Sequence, residues 1–322
     1  MIKVGIVGGA GYTAGELLRL LLNHPDVEIV FVNSSSNAGN KLAAVHAGLY
    51  GETDMTFTTN LPLDEIDLLF FCTAHGDTKK FIEENYIPEK LKIIDLSQDF
   101  RIESPKSQFV YGLPELNRRA ICNAKYVANP GCFATGIQLA LLPLAKHLML
   151  NNSIHVNAIT GSTGAGVKPS TTSHFSWRNN NVSIYKPFEH QHLAEIRQSL
   201  MQLQHSFRSS INFIPVRGDF TRGIFTTAYM ECKIELDEIK KIYNEYYEDH
   251  SFTFVIDENP DLKQVINTNK CLLHLQKIED KLLIISVIDN LLKGASGQAV
   301  HNMNLLYNLE ETVGLHLKST AF

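Results

Sequence analysis

The sequence has no excess of positive charge, no cysteine pair of the metal-binding kind and no hydrophobic run of membrane-spanning length. Its net charge is −5, so no basic surface for nucleic acid is indicated. The five cysteines are odd in number and form no C-x-x-C pair, which indicates neither a disulfide framework nor a cysteine zinc site and suits a reducing cytoplasm. The best apolar run, Ile137 to Leu150, is interrupted by Pro143 and Lys146, so we expect no membrane helix. Because Gly8 follows the apolar start with no cleavage site after it, we expect no secretory signal.

The chain does contain enough apolar residues for two domains. With 322 residues, of which 44% are hydrophobic and 20% charged, it can bury a sizeable core. A strand, helix and strand open the chain, which is typical of a parallel α/β domain. Strands with fewer helices follow residue 150, and this pattern predicts an α+β second domain with an antiparallel or mixed sheet. A final helix is expected from Lys293 to Leu309.

A glycine-rich turn spans residues 8 to 15 and joins the first apolar strand to a leucine-rich helix, expected from Glu16. Glycines at a first strand–helix junction allow a pyrophosphate to bind at the helix N-terminus. The spacing, G-x-x-G-x-x-x-G, departs from the usual G-x-G-x-x-G, but its place in the chain favours dinucleotide binding over a simple tight turn. The cofactor contacts predicted here are Gly8, Gly11, Tyr12 and Thr13.

The end of the second strand indicates which dinucleotide binds. NAD sites place an Asp or Glu there to hold the ribose 2′-hydroxyl, whereas this strand ends in Asn33 followed by three serines. With no acid to repel a 2′-phosphate, hydroxyls and a lysine amine can bind it, so we predict NADP as the cofactor. The residues expected at the 2′-phosphate are Ser34, Ser35, Ser36 and Lys41.

Two later strands end in polar residues at the carboxyl edge of the expected parallel sheet, where such folds bind ligands. His75 follows one of them and is either a cofactor contact or a loop packing residue. Arg101 follows the other, and its guanidinium can bind a substrate carboxylate or phosphate or form a structural ion pair.

Cys132 follows Asn129-Pro130-Gly131, between a strand end and an apolar helix start. A cysteine at a helix N-terminus is favoured as a thiolate by the free N–H groups and the helix dipole. A thiolate so placed can attack a carbonyl, and the same N–H groups can bind the oxyanion that forms. The alternative is a small buried apolar residue, as most unpaired cysteines are.

The segment His190-Gln191-His192 with Glu195 enters a later helix. One histidine can act as the base for Cys132, and Glu195, three residues after His192, is placed to orient that ring. The alternatives are exposed helix-entry histidines or a metal pair, but no third ligand stands at a recognisable spacing, so we predict no metal.

Taken together, these stretches resemble the N-acetyl-gamma-glutamyl-phosphate reductases, the NADPH-dependent N-acyl-glutamate semialdehyde dehydrogenases of arginine biosynthesis. The cysteine motif and the last motif are specific, whereas the glycine turn alone is not. The matching stretches span nearly the whole chain in order: Gly8-x-x-Gly11-Tyr12-Thr13-x-Gly15-Glu16-Leu17, Asp95-Leu96-Ser97-x-Asp99-Phe100-Arg101, Tyr111-Gly112-Leu113-Pro114-Glu115, Asn129-Pro130-Gly131-Cys132, His190-x-His192-x-x-Glu195-Ile196, Thr221-Arg222-Gly223 and Asp289-Asn290-Leu291-x-Lys293-Gly294-Ala295-x-Gly297-Gln298-Ala299.

The resemblance implies an α/β fold: a Rossmann NADP-binding domain of residues 1–131 and 291–322, and an α+β catalytic and oligomerisation domain of residues 132–290. The second domain is of the semialdehyde dehydrogenase or glyceraldehyde-phosphate dehydrogenase type. The resemblance also implies a homodimer or homotetramer with a small acyl phosphate as substrate, and the cysteine usage favours the cytoplasm.

The implied reaction is reduction of N-acyl-L-glutamyl 5-phosphate through a Cys132 thioester, with His192, or else His190, handling protons. Further cofactor contacts implied by the resemblance are Gly164, Asn290 and Gly294. The implied substrate contacts are Arg101, Ser162, Lys168 and Arg222.

Three stretches depart from the family pattern. The serines after the second strand lack the Arg that the family often has there, the loop from Thr171 to Lys186 is unusual, and a third segment follows Pro215. Where the family usually has His-Leu-Val-Pro-Met, this chain has Val216-Arg217-Gly218-Asp219-Phe220. We therefore keep two acyl groups open, acetyl or a charged group such as succinyl, which Arg217 or Arg178 would meet. The rival interpretations are an aspartate-semialdehyde dehydrogenase-like enzyme, a carrier-protein-linked reductase of lysine biosynthesis and a non-catalytic NADP sensor.

Overall fold

The structure is a computed structural model that describes residues 1–320. They form two compact units, one of Met1–Pro130 with Ala295–His316 and one of Gly131–Gly294 with the residues from Leu317. The sequence placed the last segment, 291–322, wholly in the first domain; residues 321 and 322 of that prediction lie outside the described residues. In the structure Lys318 is tied to the second unit, since its carbonyl accepts from Asn267 Nδ2 at 3.2 Å.

The first 130 residues alternate strands and helices. The first helix begins directly after Gly11, so the expected start at Glu16 was wrong by about one turn. The elements are β1 (Ile2–Val7), α1 (Tyr12–Leu21), β2 (Val27–Asn33), α2 (Leu42–Val45), β3 (Leu68–Phe71), α3 (Asp77–Glu84), β4 (Lys92–Asp95), β5 (Phe109–Tyr111), α4 (Pro114–Cys122) and β6 (Tyr126–Ala128).

These strands form one six-stranded sheet in the order β2-β1-β3-β4-β6-β5, and every pairing in it is parallel. A parallel sheet covered on both faces needs strands that are apolar throughout. β3 meets this demand, because all four of its residues are buried. The order reverses beside β1, which makes this a doubly wound Rossmann-type sheet whose carboxyl edge carries the glycine turn.

The remaining elements are α5 (Cys132–Lys146), β7 (Ile154–Thr160), α6 (Phe175–Arg178), β8 (Ser183–Ile184), α7 (His192–Leu203), β9 (Ile211–Arg217), β10 (Ile224–Glu231), α8 (Leu236–Tyr247), β11 (Thr253–Val255), β12 (Cys271–Ile278), β13 (Lys281–Ile288) and α9 (Ser296–Leu306). The last helix, α9, belongs to the first unit. It begins three residues after the expected Lys293, because residues 289–294 form a turn closed by Gly294 N donating to Asp289 O at 3.0 Å.

The second unit is built on a seven-stranded mixed sheet in the order β11-β12-β13-β10-β7-β9-β8. Strand β10 alternates buried residues with half-buried or exposed ones, which is typical of a sheet with one covered face. Helix α5 packs on β10 and β13 and against α7. In the part of the chain that the structure describes, no helix has both the length and the hydropathy to cross a membrane.

Helix α5 is apolar on all sides and is buried from Phe133 to Ala145. It continues through Pro143, which has no N–H to donate to the Leu139 carbonyl one turn earlier. The Tyr247 hydroxyl replaces that donor at 2.6 Å, and the Tyr243 hydroxyl donates to the next carbonyl, that of Ala140, at 2.5 Å. Two tyrosines of α8 therefore supply hydroxyl donors to the turn of α5 that precedes the proline.

Candidate active site

Cys132 is the first residue of α5, and Gly131 is its N-cap. No side chain of Gly131 can satisfy the first N–H groups of the helix, so the helix start keeps donors and a positive dipole end at the sulfur. The Cys132 side chain is half-buried. The predicted position of Cys132 at a helix N-terminus is confirmed, and the position favours the thiolate form.

Glu195 reaches the same helix start from α7. One of its oxygens accepts from the Gly131 N–H at 2.9 Å, and the other lies 3.9 Å from His192 Nε2. Both side chains are buried, with 3% of Glu195 and 7% of His192 exposed. The predicted i, i+3 pair therefore forms, and the buried carboxylate beside the imidazole orients that ring.

His190 lies in an aromatic pocket beside them. Its ring packs edge-to-face against Phe133 at 5.4 Å, Phe213 at 5.5 Å and Tyr185 at 5.8 Å between centroids. Its Nδ1 accepts from the His192 backbone N–H at 3.2 Å. Burial, helped by the charges of His192 and Lys186, lowers the pKa of His190 to about 3, so this ring stays neutral.

The turn from Asp289 to Gly294 lies against the cysteine. A Cβ at Gly294 would come within 2.8 Å of the Cys132 Cβ, closer than side chains approach, so only glycine fits. Asn290 holds the turn to neighbouring loops: its Oδ1 accepts from Gly223 N at 2.7 Å, and its Nδ2 donates to Thr163 Oγ1 at 3.1 Å. The structure thus brings the predicted Asn290 and Gly294 next to Cys132.

The other residues predicted to contact substrate or cofactor in the second unit lie in loops with different surroundings. Arg222 forms an ion pair with buried Asp289, 3.0 Å from its Nη2. Ser162 is half-buried and its N–H donates to Phe220 O at 2.8 Å. Gly164 lies near Asn290, with 4.0 Å between its ideal Cβ position and the Asn290 Nδ2. Lys168 is exposed in the loop that follows.

In the first unit, the glycine turn has the features of a pyrophosphate cradle. Gly8 has φ +84°, and a Cβ there would stand 2.7 Å from the Cys72 backbone, so the turn packs tightly on the end of β3. Gly11 is the N-cap of α1, and a Cβ added to it would have no neighbouring atom within 4 Å. Tyr12 and Thr13 then begin the helix with no side-chain cap. An open, uncapped helix start next to a glycine turn fits a dinucleotide phosphate.

The predicted 2′-phosphate residues follow β2. Ser34 is buried, and its hydroxyl accepts from Asn37 Nδ2 at 3.3 Å, while Ser35 and Ser36 are exposed. Lys41 is paired with Asp54 at 2.8 Å. Such an exposed pair contributes little to stability, because water and salt screen it. The loop therefore offers hydroxyls, an amide and a weakly held amine, and no acid stands at the end of β2.

Arg101 is buried and donates to two backbone carbonyls, Asn129 O at 2.9 Å and Leu96 O at 2.8 Å. These carbonyls follow β6 and β4, so the guanidinium ties two strand ends together; its predicted substrate contact stays a prediction. His75 is exposed, and its Nδ1 accepts from Gln98 N at 3.2 Å.

None of the five cysteines forms a disulfide. Cys72, at the first unit's glycine turn, contrasts with Cys132: desolvation raises the pKa of its thiol to about 12, which keeps it protonated. Among residues 1–320, no group of three or more His, Cys, Asp or Glu side chains is arranged to hold a metal ion.

Sequence reasoning gave no role to Phe133, Tyr185 or Phe213, although these rings enclose His190. Phe133 had a usable signal, because it follows Cys132 directly. Tyr185 and Phe213 had none, since only the pairing of residues 183–188 with β9 brings them together: Phe188 N donates to Phe213 O at 2.9 Å.

Comparison with known proteins places this site in a family. Two family models match, the semialdehyde dehydrogenase NAD binding domain over residues 3–124 and the semialdehyde dehydrogenase dimerisation domain over residues 132–290. Over all 322 residues, and over the full length of each relative, the chain is 78% identical to an N-acetyl-gamma-glutamyl-phosphate reductase of Parabacteroides distasonis and 72% identical to one of Bacteroides fragilis strain YCH46.

The chain belongs to the N-acetyl-gamma-glutamyl-phosphate reductase family. A member from Flavobacterium johnsoniae is 55% identical over 326 aligned residues, again over the full length of both chains. The resemblance seen in the sequence motifs is thereby confirmed.

Solved structures show the same two-domain fold at low identity. An aspartate semialdehyde dehydrogenase II of Vibrio cholerae, complexed with ASA, aligns with a TM-score of 0.74 and 16% identity over 96% of this chain and 98% of that one. The aspartate semialdehyde dehydrogenase of Candida albicans with NADP aligns with a TM-score of 0.73 and 15% identity, over 95% and 98%. At this identity the likeness shows the fold alone.

As a member of the reductase family with an NAD binding domain, the chain is an oxidoreductase that uses a nicotinamide cofactor. The predicted fold class, a Rossmann domain with an α+β second domain, is confirmed. The dimerisation model over residues 132–290 indicates that the chain forms an oligomer through its second unit.

Proposed function

We propose that this chain reduces N-acetyl-L-glutamyl 5-phosphate to N-acetyl-L-glutamate 5-semialdehyde, with NADPH as reductant and phosphate as the second product, in arginine biosynthesis. The observation that supports this best is the start of α5, where the neighbours of Cys132 contact the paired residues of α7: Gly131 bonds to Glu195, and Phe133 packs on His192. The chain is also 78% identical over its full length to a reductase of this name.

In the proposed reaction, the Cys132 thiolate attacks the acyl-phosphate carbonyl, the bond from that carbon to the phosphate oxygen breaks, and a thioester forms. The N-terminus of α5 stabilises negative charge on the sulfur, and its N–H groups can donate to the carbonyl oxygen. When bound, NADPH supplies the hydride for the thioester carbon. Hydride addition would leave a thiohemiacetal oxyanion on Cys132, which collapses to the aldehyde as the carbon–sulfur bond breaks and returns the sulfur as thiolate.

The two histidines take different parts in this proposal. His192 lies 3.9 Å from Glu195, whose carboxylate orients its ring, so it is our candidate for moving the protons. His190 has a pKa of about 3 and therefore remains neutral. It acts as a positioning residue, because its Nδ1 holds the first N–H of the helix that presents His192.

The proposed cofactor is NADP rather than NAD. The support is the chemistry after β2, where an amide and three hydroxyls stand and no carboxylate follows the strand directly. Lys41 would leave its exposed partner Asp54 to meet the 2′-phosphate, at little cost. A dissociation constant for NADPH at least about tenfold below that for NADH is expected, because one lost charge-assisted contact costs about 1.5–3 kcal/mol. Equal affinities would contradict this.

We further propose a homodimer or homotetramer acting in the cytoplasm. The dimerisation-domain match supports the first statement. The absence of disulfides among five cysteines, including two that are half-buried in the first unit, fits a reducing compartment.

The test is phosphate-dependent reduction of NADP by the full chain, with N-acetyl-glutamate semialdehyde as substrate and aspartate semialdehyde as the rival. We expect turnover of the first compound, dependence on phosphate and loss of turnover in Cys132→Ser. A preference for aspartate semialdehyde, or turnover that survives in Cys132→Ser, would reject the proposal. A sensor without catalysis would bind NADPH and turn over neither compound.

A further inference from the structure

Arg217 places a cation on the face of the sheet that carries the active-site residues. Along β9, the side chains of Ile211, Phe213 and Pro215 are buried, and the two-residue period of a strand puts Arg217 on the same face. Phe213 on this face packs against Phe133 at 5.3 Å and His190 at 5.5 Å between ring centroids. The strand therefore directs Arg217 toward the helices of the site rather than toward the opposite face.

Tyr185 connects Arg217 to the cysteine. The guanidinium carbon of Arg217 lies 4.6 Å from the centroid of the Tyr185 ring, a cation–π distance. The ring also approaches Phe133, at 6.4 Å. Burial raises the pKa of Tyr185, and the nearby negative charge of Cys132 raises it further, whereas the Arg217 charge acts in the opposite direction. Arg217 and Cys132 thus flank the same phenol.

The Arg217 guanidinium lacks a charge partner. In residues 1–320, its guanidinium forms no ion pair with a carboxylate and is hydrogen-bonded to the Tyr185 side chain, while its Nε is buried without a hydrogen-bond partner. A second cation stands close by: burial lowers the pKa of Arg178 and the charge of Arg217 lowers it further, whereas the charge of Asp219 acts in the opposite direction. A buried donor with a like charge nearby and no acceptor is costly, and a bound anion would remove that cost.

Arg178 is not the residue for this anion. Its guanidinium donates to Arg217 O at 2.7 Å, Asn181 O at 3.1 Å and Ser183 Oγ at 3.0 Å. These bonds use its donors to hold the segment around β8 to the end of β9. Of the two arginines named from the sequence, Arg217 is the one with a donor to offer.

We propose that Arg217 binds a carboxylate of the substrate and thereby determines which acyl-glutamyl compounds the site accepts. The proposal rests on the proposed function. A guanidinium forms bidentate bonds to a carboxylate. That carboxylate has two sources: the α-carboxylate, present in every acyl-glutamyl phosphate, and the far end of a dicarboxylic acyl group such as succinyl.

The test compares wild type, Arg217→Gln and Arg217→Lys on N-acetyl- and N-succinyl-glutamate semialdehyde. We expect Arg217→Gln to raise KM about 10- to 100-fold, as the loss of a charge-assisted hydrogen bond predicts, with kcat and the KM for NADP within about threefold. Lysine keeps the charge and should recover part of the loss. If both substrates lose equally, the α-carboxylate is the ligand; if only the succinyl compound loses, the acyl carboxylate is the ligand.

The control is Arg197→Gln, which removes an exposed arginine of α7 and should change neither KM. Should Arg217→Gln fail to fold, Arg217→Met keeps the aliphatic stem over Tyr185 and serves the same comparison. Unchanged KM values for both substrates, or a loss confined to kcat, would overturn the proposal.

Binding of the stable N-acetyl- and N-succinyl-glutamates, measured by calorimetry on the full chain, separates this proposal from the proposed function. If wild type turns over neither semialdehyde, the proposed function fails. The role of Arg217 is then tested only by the affinity of the protein for the two acyl-glutamates. Weaker binding to Arg217→Gln than to wild type supports the carboxylate role, and equal or absent binding rejects it.

Discussion

Two helices of this molecule begin in the same way and offer different chemistry. Helix α1 and helix α5 each follow a strand, each has a glycine N-cap and neither has a side-chain cap. At α1 the space around Gly11 is open. At α5 the start is filled by a cysteine and by the bond from Gly131 to Glu195. In both cases the backbone supplies the positive end of a helix dipole. The neighbouring residues determine whether this end can bind an external phosphate or lies beside a sulfur of the protein.

The largest expected effect comes from removing the sulfur at α5. Cys132→Ser should lower kcat by at least about 10³-fold, as removal of a nucleophile does in enzymes whose residues act as a unit. Because α1 belongs to the other unit, NADPH affinity measured by fluorescence should stay the same. The control is Cys122→Ser, at the end of α4, which should keep full activity. A parallel loss of NADPH binding would mean that the two helix starts do not act separately.

A substitution in the glycine turn before α1 should affect the cofactor site and leave the start of α5 unchanged. In Gly8→Ala the new Cβ meets the Cys72 backbone at 2.7 Å, so the turn must move. We expect NADPH affinity to fall about tenfold or more, since a close backbone approach to phosphate is lost, while alkylation of Cys132 by iodoacetamide keeps its rate. Gly51→Ala is the matched control. Gly51 has nearly the same φ, +85°, but a Cβ there would meet nothing within 4 Å, so this variant introduces the backbone strain without the steric clash.

Crowding the sulfur should lower kcat less than removing the sulfur does. Gly294→Ala places a Cβ 2.8 Å from the Cys132 Cβ, so the cysteine or the turn must shift. A displacement of this size is expected to lower kcat about 10- to 100-fold, with little change in NADPH affinity. Gly48→Ala, which meets nothing within 4 Å, should be silent. An active Gly294→Ala would show that the sulfur tolerates movement.

The smallest effect concerns stability and pH. The pKa of His190 is lowered to about 3, so below its ordinary 6.5 the unfolded chain binds a proton that the folded chain does not. Stability is therefore lost as the pH falls from 6.5 toward 3, by about 2 kcal/mol at pH 5.

His190→Asn keeps an acceptor for the His192 N–H but does not titrate. Urea unfolding at pH 7 and pH 5 should show a smaller loss of the free energy of unfolding in this variant than in wild type. His205→Asn, at an exposed position, is the control and should follow wild type. Identical losses in wild type and His190→Asn would reject the assignment.

The sequence predicted the parts of the molecule whose cause is local. Gly131 stands between a strand and a helix, so the start of α5 could be placed from residue order alone, whereas α1 was expected from Glu16 and begins at Tyr12. The spacing of His192 and Glu195 likewise determines their contact. The enclosure of His190 could not be predicted, because it depends on the pairing of Ser183 with Arg217 across two strands.

The same reason explains why Arg178 and Arg217 could not be told apart in the sequence. Both are arginines near an irregular loop. Only the fold shows that Arg178 donates to backbone carbonyls while the Arg217 Nε lacks an acceptor. The sequence shows that both residues carry guanidinium donors. It does not show which of these donors are already hydrogen-bonded within the protein.

The proline in α5 has a consequence for how the protein assembles. The hydroxyls that complete this helix come from Tyr243 and Tyr247, 103 and 108 residues later in the chain than the carbonyls they serve. A ribosome-bound chain that has reached only residue 200 holds the nucleophile but lacks both donors. Because such long-range contacts form late, we infer that the reactive cysteine acquires its final setting only after α8 has been synthesised and has docked.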